Sequence, residues 1–233
     1  MNIKTYNNKS ALAAKFGEIL LEISQEKEEV FIALSGGSTP KVIFDFLASE
    51  YQEKIAWHKL RFFWGDERCV APDHVDSNYK MTDDHLFSRL PIAQEHIFRV
   101  KGELAPEVAA LEYEKTIDEV LPQKNNLPAF DLMILGMGDD GHTASIFPHE
   151  IQLWTSPLLC EVATHPDSGQ KRVSLTGKVI NNSEQILFLV TGSNKAEKVA
   201  EIVHQRGHYQ TYPASLVDPK ALWMLDEEAA RLL

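Results

Sequence analysis

The residues best equipped for acid–base chemistry are gathered in one stretch, LGMGDDGHTASIFP, residues 135–148, which holds Asp139, Asp140, His142, Thr143 and Ser145. Just before it, Phe130, Leu132, Met133, Ile134 and Leu135 form an apolar run too short for an independent helix and flanked by turn residues. That run predicts a central strand of a parallel sheet, so the loop leaves a strand's carboxyl end, where open α/β sheets bind ligands. Gly136, Gly138 and Gly141 fit the spacing GxGxxG, but a dinucleotide loop is not expected. Asp139 and Asp140 stand where a pyrophosphate would sit, and Pro148 breaks the helix that should follow.

Two further strand ends carry polar chemistry. VFIAL, residues 30–34, runs into Ser35, Gly36, Gly37, Ser38, Thr39 and Pro40 and then a helical pattern. Small residues there leave amides and hydroxyls free for an anion at a helix N-terminus, with Pro40 suited to the first helical position. LRFFW, residues 60–64, runs through Gly65 into Asp66, Glu67 and Arg68. In the second half, Arg172 opens the strand RVSLT. Lys195 begins a helix after ILFLVTG, where a lysine is electrostatically misplaced unless an anion lies nearby. Lys178 has a weaker claim and reads as surface.

These groups need a scaffold of alternating strands and helices. Helical spacing covers Ser10–Ile23, the segment after Ser77, Ala105–Leu121 and Asn194–His204. Strands are expected at Leu158–Val162, Arg172–Leu175, Ile186–Val190 and Leu222–Leu225, giving a βα period throughout. The implied fold class is α/β, a mostly parallel twisted sheet with helices on both faces, and 233 residues suit a single domain spanning 1–233.

Composition narrows the function. Twenty-three Lys and Arg against 34 Asp and Glu leave a net charge of −11, a field that disfavours nucleic acid and anionic membrane as partners. Any anion site must therefore be built locally. No apolar run approaches the ~20 residues of a membrane span, so a soluble cytoplasmic protein is expected. Cys69 and Cys160 lack metal or disulfide-framework spacing. His204 and His208 are four apart, but without an HExxH pattern or a third ligand no metal site is expected, and no GxSxG elbow is present.

LSGGSTP at 34–40, WGDER at 64–68, SNYKM at 77–81, LGMGDDGHTASIFP at 135–148, RVSLT at 172–176 and TGSNKAE at 191–197 recur in that order over nearly the whole chain. Together they resemble the glucosamine-6-phosphate isomerase/6-phosphogluconolactonase family. The segment Thr143–Pro148 is similar to the lactonase branch, while Asp139 and His149 depart from the Pro and Gly common there. The resemblance implies a Rossmann-like three-layer sheet shared with glucosamine-6-phosphate deaminase and ribose-5-phosphate isomerase. It also implies metal-free, cofactor-free hydrolysis of 6-phospho-D-glucono-1,5-lactone to 6-phosphogluconate, in the oxidative pentose phosphate pathway. On that pattern His142 is the general base for water, and Asp140 holds or polarises it. Gly36, Gly37, Ser38, Thr39, Arg172 and Lys195 hold the phosphate. Arg68 or loop amides face the carbonyl oxygen. Asp66 and Glu67 bind sugar hydroxyls or support Arg68. A deaminase-like isomerase and a non-catalytic sugar-phosphate sensor are the alternatives, and a monomer and a homodimer are equally compatible.

Overall fold

A computed structural model describes residues 1–233. In chain order the elements are β1 (Asn2–Tyr6), α1 (Lys9–Glu26), β2 (Val30–Leu34), α2 (Ser38–Glu50), β3 (Leu60–Trp64), β4 (Asp66–Arg68), α3 (Asn78–His85), α4 (Pro106–Val120) and β5 (Gln123–Lys124). They continue with β6 (Leu127–Pro128), β7 (Leu132–Leu135), β8 (Cys160–Thr164), β9 (Lys171–Leu175), α5 (Gly177–Asn182), β10 (Gln185–Val190), α6 (Ala196–Val203), β11 (Leu222–Asp226) and α7 (Glu227–Ala230). Six strands form one sheet in the order β1-β11-β10-β7-β2-β3, and every pair in it is parallel.

The alternation of side chains across β7 divides the core in two. Leu132 and Ile134 face a cluster with Leu12, Phe16, Ile43, Phe44 and Leu47 from α1 and α2. Met133 and Leu135 face the other side, with Ala109, Ile117, Val179, Ile180 and Val199 from α4, α5 and α6. Both faces are covered, which is why the central strands read as continuous apolar runs and not as alternating ones. No helix is long and apolar enough to cross a membrane.

Three features depart from what the sequence predicts. β8 and β9 do not join the parallel sheet. They form an antiparallel hairpin, and β4 pairs with β9 to complete a second, three-stranded sheet. The six residues between β8 and β9, turning at Gly169 with φ +69, are too few for a parallel crossover. Gly65 sits at the junction of the two sheets: its N–H donates to Leu34 O at 2.8 Å and its carbonyl accepts from Leu175 N at 2.9 Å. Second, β1 is a strand the polar sequence NIKTY does not announce, because it lies at the sheet edge and is only half covered. Third, α2 begins at Ser38, two residues before the expected Pro40. Gly37, at φ +101, makes the turn into the helix without a side-chain cap.

The opposite edge strand, β3, has its free backbone groups met by other parts of the chain. The Tyr113 hydroxyl of α4 donates to Trp64 O at 2.7 Å and accepts from Trp64 N at 2.8 Å, while Phe98 N donates to Phe62 O at 2.8 Å. Tyr113 thus closes the edge at the point where the chain turns into the Asp66–Arg68 segment. Tyr113→Phe should cost about 1–3 kcal/mol, the price of stranding buried main-chain groups, read as a lower urea midpoint. An unchanged midpoint would remove this role.

Candidate active site

The loop after β7 is folded around its histidine. Asp140 Oδ1 accepts from the His142 backbone N–H at 3.0 Å and lies 2.7 Å from His142 Nδ1. Gly138 N donates to His142 O at 2.9 Å, and Thr143 Oγ1 donates to Gly136 O at 2.9 Å. A Cβ on Gly138 would fall 2.1 Å from His142 Nδ1 and 2.6 Å from Asp140 Oδ1, so the imidazole rests where only glycine leaves room. Gly141, at φ +86, is packed against the Tyr212 ring and accepts from Ala214 N at 3.1 Å. The buried Phe147 ring lies 4.6 Å from the imidazole, centroid to centroid.

Burial by itself would push the Asp140 carboxyl up, but the hydrogen bonds and charge of His142 override it and bring the group down to about 2. Asp140 is therefore an acceptor at neutral pH. The neutral imidazole then carries its proton on Nδ1, which leaves Nε2 as the basic nitrogen.

His142 lines a cleft of about 250 Å³ at the carboxyl edge of the sheet. The facing wall is Ser35–Pro40. The first amides of α2 have no intrahelical partner, and no side chain caps them. Thr39 Oγ1 is instead 2.7 Å from Thr191 Oγ1, tying this wall to the end of β10. Arg68, Arg172 and Lys195 complete the cleft, against the single lining carboxylate of Asp66. A locally cationic site thus exists within a chain of net charge −11.

Arg68 and Arg172 are cross-strand partners of β4 and β9, and the Nε atom of each is buried without a hydrogen-bond partner. Arg172 reaches Ser145 Oγ at 3.4 Å and lies over Phe147 at 5.6 Å. Burial draws the Arg172 pKa down, Asp66 opposes this and Arg68 reinforces it. Two neighbouring guanidiniums with unused donors make an environment that an anion would relieve.

Of the residues singled out in sequence, the cleft brings together His142, Gly36, Gly37, Ser38, Thr39, Asp66, Arg68, Arg172 and Lys195, with Asp140 behind the histidine. Glu67 does not line it. Its buried carboxylate accepts from Arg68 N, Asn78 N, Tyr79 N and Ser77 Oγ at 2.7, 2.7, 2.8 and 3.0 Å, pinning the start of α3. Burial pushes its carboxyl up against the pull of those amides. Asp66 turns to Ser145, whose Oγ donates to it at 2.6 Å. Lys178 points away, donating to Pro157 O.

Sequence reasoning passed over Asn78. It is buried, donates to Asp66 O at 2.9 Å, and sets its Oδ1 where a Cβ on Gly36 would stand 1.9 Å away. The Ser77 cap preceding it was the available signal. Thr191 also lines the cleft outside the expected site set, and the sequence presents it only as the first residue of TGSNKAE.

A family model described as "Glucosamine-6-phosphate isomerases/6-phosphogluconolactonase" matches residues 7–225. The chain belongs to this family. Among its relatives, the 6-phosphogluconolactonase of Treponema pallidum is 47% identical over 84% of this chain and 82% of its own. That of Haemophilus influenzae is 40% identical over the full length of both. The crystal structure of 6-phosphogluconolactonase from Thermotoga maritima superposes with a TM-score of 0.83 at 31% identity, covering 96% of this chain and 97% of that one. The family fold, a parallel sheet with helices on both faces, is the one described above.

Gly138→Ala should displace the imidazole and abolish the low-field Nδ1 proton resonance of His142 in NMR spectra; retention of that resonance would refute the packing argument. The stability Asp140 contributes is complete above its ordinary pKa of 3.8 and is lost as pH falls toward about 2, because the folded state holds its pKa down. Asp140→Asn should thus flatten the fall in stability between those pH values by roughly 1 kcal/mol, allowing for solvent screening at this half-exposed group. Acid titrations followed by circular dichroism would reveal the difference.

Proposed function

We propose that the protein hydrolyses 6-phospho-D-glucono-1,5-lactone to 6-phospho-D-gluconate, a step of the oxidative pentose phosphate pathway, in the cytoplasm and without a metal ion. The observation that carries this reading is the pairing, across one cleft, of an oriented histidine with a three-cation anion site. Kinship with 6-phosphogluconolactonases supports the choice of lactone over the amino-sugar substrates in the family description.

In this reading His142 Nε2 takes a proton from water as the water oxygen adds to the lactone carbonyl carbon. Asp140 stabilises the imidazolium that results. Negative charge gathers on the former carbonyl oxygen, where a guanidinium of Arg68 or loop amides offer donors. The ring C–O bond then breaks, and the imidazolium returns its proton to the departing ring oxygen. The phosphate, remote from the reacting carbon, sits between the first amides of α2 and the cations Arg172 and Lys195, with Ser38 and Thr39 hydroxyls beside it. Such binding is shared by ground and transition states, so it sets affinity more than turnover. Asp66 and Asn78 present polar groups to the sugar, and Glu67 supports them from behind.

The decisive assay follows freshly generated lactone and subtracts its spontaneous hydrolysis. His142→Ala should lower kcat by about 10²–10⁴-fold with phosphate affinity kept; near-normal turnover would overturn the base assignment. Full activity after exhaustive chelation is expected for the native protein, and loss restored by added metal would overturn the metal-free mechanism.

A further inference from the structure

Lys195 differs from the other cations of the cleft in already having an anionic partner. Its ammonium forms an ion pair with Asp139, and Asn194 Nδ2 donates to the same carboxylate oxygen at 2.9 Å. Arg68 donates to a main-chain carbonyl, that of Asp76, and Arg172 reaches a hydroxyl; neither forms an ion pair. The Lys195 side chain is 19% exposed, whereas that of Asp139 is 64% exposed. The carboxylate is the more exposed partner of the pair, and Lys195 and Asn194 are its only side-chain partners.

Neither loop depends on this pair for its shape. The segment carrying Lys195 is set by Gly192, at φ +97, whose N–H donates to Asp226 at 3.0 Å, and by Lys195 N donating to Gly192 O at 3.1 Å. Asp226 is itself fixed by accepting from Ala229 N at 2.8 Å. The segment carrying Asp139 is held by the Gly138, Gly141 and Thr143 bonds described above. Both loops being independently braced, the ion pair is free to open without unfolding either one. Asp139 stays ionised near neutrality: burial raises its pKa, but the bonds from Lys195 and Asn194 outweigh it and leave the group below its ordinary value.

We propose that Asp139 is a resident competitor for the phosphate subsite, occupying Lys195 until a ligand phosphate displaces it and so weakening the anchorage of substrate and product alike. The proposal rests on the reading that this cleft takes a sugar phosphate. Its benefit follows from differential binding. Product and substrate share the same phosphate, so tight anchorage would retain the product, while weaker uniform binding costs nothing in the transition state relative to bound substrate. Asp139 trades affinity for release.

The test is a calorimetric titration of native protein, Asp139→Asn, Lys195→Met and the double variant with inorganic phosphate, alongside lactone turnover for each. Asp139→Asn, an isosteric change at an exposed side chain, should bind phosphate about fivefold or more tightly and lower KM in parallel, with no rise in kcat. In the Lys195→Met background the same change should bring little gain. Unchanged or weaker phosphate binding in Asp139→Asn would overturn the proposal, the latter outcome marking the carboxylate as a support for Lys195. An equal gain in the Lys195→Met background would overturn it too, since a general field effect would then suffice. Absence of lactone turnover in the native protein would instead refute the lactonase reading, and the phosphate titrations would still decide the competition.

Discussion

Six strands running the same way end on the same edge, and at that edge the ladder hydrogen bonds stop. Loops leaving β2, β7 and β10 emerge there side by side, and side-chain hydroxyls tie them down. Thr39 and Thr191 join the first and third, while Thr143 closes the second back onto Gly136. The histidine, the helix N-terminus and the lysine meet because parallel pairing leaves them no other place to emerge.

The second sheet is what turns this edge into a cleft. At Gly65 the chain passes from parallel to antiparallel pairing, and β4 carries Asp66 and Arg68 out over the strand ends to lie beside Arg172 of β9. Placing two guanidiniums side by side under partial burial is costly, and the structure offsets it with Asp66, Ser145 and the Asp76 carbonyl and not with dedicated ion pairs. Glu67, buried between β4 and α3, holds this arrangement by gathering three main-chain amides and a hydroxyl. Adjacent acidic residues therefore do different work: one faces the cleft and the other is internal scaffolding.

Asp139 and Asp140 divide in the same way. Asp140 turns back to His142 and fixes its tautomer, whereas Asp139 turns outward to a lysine on a different loop. A single residue's shift along the chain separates a carboxylate bonded within its own loop from one paired across to another. Composition could not distinguish them, because both are aspartates in one glycine-rich turn.

The apolar runs at 30–34, 60–64, 132–135 and 186–190 determined by themselves that buried parallel strands would form, since only a sheet covered on both faces accommodates uninterrupted β-branched and aromatic segments. The glycine loops behind them likewise marked the strand ends that line the cleft, because small residues after a strand leave backbone donors exposed. Tertiary structure alone decided that β4 joins the β8–β9 hairpin in an antiparallel layer, that Glu67 is internal, that Asn78 enters the cleft, and that Lys195 is held by Asp139. Three of these join groups tens of residues apart, Arg68 with Arg172, Gly36 with Asn78 and Asp139 with Lys195, while the Glu67 carboxylate reaches no further along the chain than Tyr79. Local periodicity records which face of an element is buried, but pairing between distant segments is settled by packing and by the need to satisfy buried polar groups, and neither is written in any one stretch of the chain.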